Sequence, residues 1–345
     1  MTKVNRQWLL AKHPEKQLTE DCFEYKEEDL PETDLAPGEI LTQNLAFLCA
    51  PTMRNWMDRP NNSLYPSIPL GQPVMTLSVA RIVASKAPEY IVGDRISTRA
   101  TWQDYEVIST SSVPISKIPK DISAIHALGR YGLNSLTGYF GLMKVGKPEP
   151  GNTVVVSAAA GSTGSIAAQV ARLQGCRVIG IAGGSKKCSW LKESCGLDGV
   201  IDYKSQNVEN ELGILCPKGI DVFFDNVGGE ILQAAVENIA SHGKIILCGQ
   251  IASYDNDQPA EGPKNMMRMI YGSITMQGFL TRNYTDEFPA AIEYLKSKDE
   301  KGEIVFREDV REGFKNIPSI YKSLFSGSNE GALIAQIDPS AQSIS

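Results

Sequence analysis

Three features of the sequence predict an α/β chain with a β-rich first part and a doubly wound parallel sheet in its second. From Gly38 to Ser109 the apolar residues come in short or alternating runs broken by turn residues, the rhythm of half-buried strands. Beyond about Ser123, helical periodicity alternates with short β-branched runs, the punctuation of strand-helix-strand units. Within that second part a strand, Val154-Val155-Val156-Ser157, leads through the turn Gly161-Ser162-Thr163-Gly164-Ser165 into a helix with Ile166, Val170 and Leu173 on one face. Strand, glycine turn and helix in that order open a dinucleotide-binding unit.

In the first part, strands are expected at Ile40 to Leu45, Val74 to Ala84, Asp94 to Ser97 and Trp102 to Ile108. The stretch Asp58 to Pro73, rich in Pro, Asn and Gly, reads as a long loop of the kind that carries function. After the glycine turn, strands are expected at Arg177 to Ala182, Gly199 to Tyr203, Asp221 to Asp225 and Lys244 to Cys248. With helices between them, these strands make a parallel sheet. Past Ile274 to Phe279 come a helix around Phe288 to Lys298, the run Ile304-Val305-Phe306, another helix and a last strand near Ala332 to Ile337. This tail is expected to rejoin the first domain, which divides the chain into 1–126, 127–302 and a returning segment 303–345.

Composition narrows the function. The 345 residues carry 34 Lys+Arg against 40 Asp+Glu, a balance that argues against nucleic acid, whose binding needs clustered cations. No uninterrupted apolar run reaches the roughly 18 residues of a membrane span, and Met1 to Lys12 lack a signal peptide's apolar core, so a cytoplasmic protein is expected. Seven scattered cysteines (Cys22, Cys49, Cys176, Cys188, Cys195, Cys216, Cys248) contain no C-x-x-C pair, and the three histidines lie far apart. Neither a disulfide framework nor a metal site is expected.

The cofactor is read from two places. Gly161 and Gly164 remove side chains where a pyrophosphate must approach the backbone at a helix N-terminus. At the end of the second strand, where an acid would accept the ribose hydroxyls of NAD, the chain instead reads Ala182-Gly183-Gly184-Ser185-Lys186-Lys187. Cations and a small hydroxyl at that place suit the 2′-phosphate of NADP.

Several runs resemble the zinc-independent medium-chain dehydrogenase/reductases, in particular the branch of prostaglandin and leukotriene reductases, alkenal double-bond reductases and curcumin reductase. They are Ser157 to Ser165, Phe224-Asp225-Asn226-Val227-Gly228-Gly229, Cys248-Gly249-Gln250-Ile251-Ala252-Ser253-Tyr254, Trp102-Gln103-Asp104-Tyr105 and Gly327-Ser328-Asn329-Glu330-Gly331. The resemblance implies a GroES-like β-rich catalytic domain and a Rossmann domain, with the cleft between them holding nicotinamide and substrate. It implies that Gly161, Ser162, Thr163 and Gly164 hold the pyrophosphate of NADPH, Lys187 and Tyr203 its 2′-phosphate, and Asn226 the ribose side. Cys248, Gly249, Ile251, Ser253 and Tyr254, with Phe279, Leu280 and Thr281, would line the nicotinamide, and Asn329 would close the site. It also implies a homodimer, to which the apolar stretch Met266 to Phe279 could contribute by covering the sheet's last edge.

Chemistry follows from the missing metal set. The Gly-His-Glu run of zinc alcohol dehydrogenases is replaced by Gly71-Gln72-Pro73, and Cys49 alone cannot make a catalytic zinc site. Without a Lewis acid an isolated carbonyl is hard to reduce, whereas a conjugated alkene accepts hydride at its β-carbon and needs only a hydrogen-bond donor for the enolate. Tyr254 is the expected donor, its phenol being protonated at neutral pH. The chain departs from the family's Asp-Pro-Tyr-Met-Arg with Ala50-Pro51-Thr52-Met53-Arg54, and from Gly-Met-Pro-Gly with Gly132-Leu133-Asn134-Ser135. Thr52, Asn134 and the loop residue Tyr65 are therefore the expected substrate-pocket positions. NADPH-dependent reduction of enones or enals is the expected activity, with an NADPH:quinone oxidoreductase or a catalytically silent NADPH-binding protein as open alternatives.

Overall fold

The computed structural model describes residues 4–30, 34–59, 66–255 and 261–344. It divides into two units, Met1–Arg130 with Glu308–Ser345, and Tyr131–Arg307.

The first unit opens with an antiparallel pair, β1 (Val4–Leu10) and β2 (Phe23–Asp29). Next come β3 (Glu39–Leu48), helix α1 (Met53–Trp56), β4 (Met75–Ser85), β5 (Arg95–Thr101), β6 (Tyr105–Ser109), β7 (Ile115–Lys117) and helix α2 (Ala124–Leu128). Two register shifts bend β3 against β4, and the outer half of β3 also pairs with β6. Trp102 to Ile108 is not one strand. Trp102 is fully buried with its backbone N–H on the Val74 carbonyl (2.8 Å), and Asp104 turns the chain by accepting from the backbone N–H (3.1 Å) and guanidinium of Arg6, so that pairing with β3 resumes at Tyr105.

The second unit begins with α3 (Leu133–Phe140), which runs into a π-helical stretch, Gly141–Gly146. Its body is β8 (Thr153–Val156), α4 (Ser162–Leu173), β9 (Arg177–Ala182), α5 (Ser185–Glu193), β10 (Gly199–Asp202), α6 (Val208–Leu215), β11 (Ile220–Asp225), α7 (Gly229–Asn238) and β12 (Ile239–Leu247). Two short helices, α8 (Ile251–Tyr254) and α9 (Met266–Tyr271), lead to β13 (Thr275–Gly278), and α10 (Phe288–Glu300) closes the unit. The six strands are all parallel, in the order β10-β9-β8-β11-β12-β13. Val154, Val155 and Val156 of β8 are inaccessible to solvent, because a central parallel strand is covered on both faces.

The chain then returns to the first unit with β14 (Glu308–Glu312), helix α11 (Ile317–Lys322) and β15 (Ala332–Gln336), the last of which pairs antiparallel with β3. The run Ile304 to Phe306 lies in no strand. Ile304 is buried, and the side-chain amide of Gln169 satisfies the Val305 backbone in both directions, accepting its N–H (2.8 Å) and donating to its carbonyl (2.9 Å). A single buried amide thus replaces the ladder that the β-branched composition suggests.

Candidate cofactor and active site

Strand order reverses between β8 and β11, and in doubly wound sheets the ligand crevice lies outside the carboxyl ends of the strands at that point. Both strands end there in buried polar residues. Ser157 is inaccessible, and its hydroxyl donates to Asp225 Oδ1 (2.9 Å) while accepting from the backbone N–H of Asn226 (2.8 Å). Asp225, 1% exposed, also accepts the N–H groups of Val227 (3.0 Å) and Gly228 (3.1 Å). Burial pushes the Asp225 carboxyl up from its ordinary value, opposed by those N–H groups and the Ser157 hydroxyl. Asn226 donates its side-chain N–H to the Ser157 carbonyl (2.7 Å). With the amide nitrogen so placed, its Oδ1 is set as an acceptor, the polarity that ribose hydroxyls require.

The glycine turn is built for close approach, though one glycine serves a different contact from the expected one. A Cβ on Gly164 would lie 2.4 Å from the Ala158 carbonyl oxygen, so this glycine lets α4 pack onto its own turn. Ala158 adopts φ +46° to make that turn. Gly161 caps α4 without a side chain, leaving the first backbone N–H groups of a twelve-residue helix to face an anion. Helix α3 packs tightly on this region. A Cβ on Gly138 would sit 2.5 Å from the Thr163 carbonyl oxygen, and one on Gly141 would meet the Phe279 ring at 2.5 Å. Asn134, one of the expected substrate-pocket positions, donates its side-chain N–H to Ser162 Oγ (2.9 Å). One turn on, Thr137 Oγ1 and Thr281 Oγ1 are 2.6 Å apart, and Thr137 donates to the Leu133 carbonyl (2.7 Å).

Beyond β9, Lys186 and Lys187 occupy the first turn of α5, Lys187 half-buried. Tyr203 is 47% exposed, with its ring against Gly183, where a Cβ would come within 2.7 Å of it. An acid does reach this corner, but from the neighbouring strand. Asp202, at the end of β10, accepts the N–H groups of Gly184 (2.8 Å) and Lys204 (3.0 Å), which hold its carboxyl below the usual range despite some desolvation. Its charge is bound to the loop backbone and shapes the Gly183–Gly184 turn. The only sequence signal for it was an acid ending the strand beside β9, a place the ribose rule does not inspect.

The segment after β12 is tied to the switch point. Cys248 and Gly249 donate their N–H groups to the Asp225 carbonyl (2.9 and 3.1 Å), Ile251 donates to that of Asn226 (3.3 Å) and Ala252 to that of Val227 (3.1 Å). Ser253 continues the short helix with its N–H on Gln250 (2.9 Å). The Tyr254 hydroxyl accepts the N–H of Gln250 (3.1 Å), so at that contact its proton points elsewhere. Cys248 packs against the apolar core that contains Phe224, and burial, followed by the nearby Asp225 charge, pushes its thiol up to about 12. Phe279 stands edge-on to Phe224, with ring centroids 6.5 Å apart. Leu280 is exposed and Thr281 buried. The second unit therefore assembles its expected residues along the carboxyl edge of one sheet. Thr52 and Asn329 belong to the first unit, where Thr52 is exposed before α1 and Asn329 donates to the Gly331 carbonyl (3.1 Å). Tyr65 lies outside the described residues.

Among the described residues no group of three or more His, Cys, Asp or Glu could hold a metal ion. Cys49 is buried, and desolvation pushes its thiol up to about 12, the opposite of what a thiolate ligand needs. Nor is any helix of the described residues long and apolar enough to cross a membrane.

A sheet ordered 3-2-1-4-5-6, a glycine turn at the first helix and a polar lock at the switch point define a Rossmann-type nucleotide-binding unit. Residues 6–115 match a family model described as the N-terminal domain of oxidoreductase, and residues 162–297 one described as zinc-binding dehydrogenase. The chain is 34% identical over 345 residues to a putative NADP-dependent oxidoreductase, YfmJ, of Bacillus subtilis, covering 99% of this chain and 100% of that protein. It is 33% identical to the NADP-dependent 2-alkenal reductase of Nicotiana tabacum, over 87% of this chain and 88% of the relative. The crystal structure of CurA in complex with NADPH from Vibrio vulnificus superposes with a TM-score of 0.90 at 32% identity, covering 96% of this chain and 99% of that one. The chain belongs to the medium-chain dehydrogenase/reductases, in their zinc-independent double-bond reductase branch.

Proposed function

We propose that this NADP-dependent oxidoreductase reduces the C=C bond of α,β-unsaturated ketones or aldehydes. NADPH supplies the hydride for the β-carbon. The first-turn N–H groups of α4 hold its pyrophosphate, Lys187 and Tyr203 its 2′-phosphate, and the Oδ1 of Asn226 accepts from ribose. As the alkene's electron pair moves toward the carbonyl, the Tyr254 phenol donates a hydrogen bond to the enolate oxygen or passes a proton toward the α-carbon. Thr52 and Tyr65 are the proposed substrate-side residues, and Asn329 a further proposed site residue.

The observation that carries the reading is the Ser157–Asp225–Asn226 lock at the switch point, found in a chain that matches a 2-alkenal reductase over most of its length. Anaerobic NADPH oxidation against enones, enals, nitroalkenes and quinones, with mass spectrometry of products, tests it. Saturated ketones or aldehydes support the reading, whereas hydroquinone formation with no turnover of enones or enals overturns it.

The chain is further proposed to act in the cytoplasm as a homodimer. All seven cysteines are free thiols, as a reducing compartment allows. The α9 side chains Met266, Met267, Ile270 and Tyr271 are 50 to 83% exposed beside the edge strand β13, a surface that a second copy could cover.

A further inference from the structure

We propose that helix α3 is a positioning strut for the cofactor site, with Asn134 setting the pyrophosphate end and Thr137 the nicotinamide end. The inference rests on the cofactor reading above and goes beyond it, because neither residue is placed against the cofactor itself.

The two side chains lie three residues apart and thus share one face of α3, together with Gly138 and Gly141. The two glycines bring that face into contact with the Thr163 carbonyl and the Phe279 ring, so the helix is held against both segments at once. Hydrogen-bond polarity then makes the two side-chain contacts directional. Asn134 donates to Ser162 Oγ, so the Ser162 hydroxyl accepts at that contact and its own proton can be given to a phosphate oxygen at the first turn of α4. Thr137 spends its single proton on the Leu133 carbonyl, so Thr281 must be the donor across the 2.6 Å contact. That fixes the rotamer of a residue that is 8% exposed and follows directly on Phe279 and Leu280.

The two ends predict separable defects. Asn134→Ala should weaken NADPH binding about three- to tenfold, the scale of one hydrogen bond, with little change in kcat. Thr137→Val should slow single-turnover hydride transfer by roughly the same factor while the NADPH dissociation constant stays within about twofold, and Thr137→Ser should restore the rate. Asn134→Asp separates positioning from packing. A carboxylate here, beside two helix N-termini, should hold or raise Tm, yet it turns Ser162 from acceptor to donor and adds a negative charge near the anion site through Ser162, so NADPH affinity should fall by more than in the alanine variant. Fluorescence titration with NADPH, stopped-flow oxidation and calorimetry on the full chain read these quantities. If the unmutated protein binds NADPH and both Asn134 variants bind it equally well, or if the Thr137 variant loses Tm, affinity and rate together, the inference fails while the cofactor reading stands. If the unmutated protein binds no NADPH, the cofactor reading falls and the inference falls with it.

Discussion

Asp225→Asn probes the lock on which the site depends, because it preserves shape and removes charge and one acceptor. The carboxylate receives the Ser157 hydroxyl at 2.9 Å and the N–H groups of Val227 and Gly228 at 3.0 and 3.1 Å. An amide whose oxygen occupies the Oδ1 position keeps the Ser157, Val227 and Gly228 bonds to that atom as neutral contacts but turns its NH2 toward the Gly228 N–H, which also donates to Oδ2 (3.1 Å). The reverse orientation sets the NH2 against three donors, the Ser157 hydroxyl and the N–H groups of Val227 and Gly228. Each charge-assisted bond made neutral loses about 1 kcal/mol, and the facing donors add a similar amount. Burial outweighs these bonds in setting the raised carboxyl, so relief of the buried charge cancels the cost of making the bonds neutral and leaves the facing donors, a net loss of about 1 kcal/mol, or roughly 2 to 4 °C in Tm for a unit of this size. Asn226 and the segment from Cys248 hang on the same strand end, so NADPH affinity should fall about tenfold. The pH dependence has a definite sign. A carboxyl raised by burial binds its proton more tightly in the folded state, so its contribution is most favourable in acid and declines as pH rises through the window just above the ordinary carboxylate value. The variant lacks this slope, and the stability gap between the two proteins should therefore narrow toward neutral pH. Calorimetry across pH with NADPH titration gives both readings; unchanged Tm together with affinity within twofold would refute the assignment.

Lys187→Ala should weaken NADPH about tenfold or more and spare NADH, as measured by binding titration of both cofactors. Tyr254→Phe should slow hydride transfer roughly ten- to a thousandfold in stopped-flow experiments, the cost of one oxyanion donor, with NADPH affinity little changed. Ile270→Glu, which places a charge on the exposed face of α9, should convert a dimer to a monomer by light scattering at micromolar concentration.

The parallel sheet was legible because its strands obey local rules. Arg177–Ala182 matches its expected strand in full, and the four other expected strands of the sheet are present with ends shifted by one to five residues, whereas the sixth, β13, is not among those the sequence predicts. The largest shift is at β12, which begins at Ile239 rather than Lys244. There the chain passes through His242 at φ +64° and a bulged register against β11, so the outer residues of the strand lack the apolar run that marks its centre. The run Ile304 to Phe306, whose partner the sequence does not indicate, shows a different limit. Composition reports that a segment is extended and buried, but the partner that satisfies its backbone is Gln169, and no local pattern contains that residue.

The site divides along the same line. Residues that touch a cofactor by their backbone are announced by glycines, so the turn at Gly161 was visible, as was the missing acid after β9. Residues that act through another side chain carry no such mark. Asp225 stood inside a recognised run yet was passed over, because its function appears only when β8 places Ser157 within 2.9 Å of it. Asn134 was assigned to the substrate by its place in a departed motif, and only the packing of α3 on α4 shows that its amide reaches Ser162. Gly164 shows how an expected site residue can have a purely structural reason, since the Cβ it lacks would strike the Ala158 carbonyl of its own turn. The turn must first close on itself, with Ala158 held at φ +46°, before any N–H of α4 can present itself to a phosphate. Selection for that closure and selection for anion binding leave the same glycine in the sequence, and only the coordinates separate them.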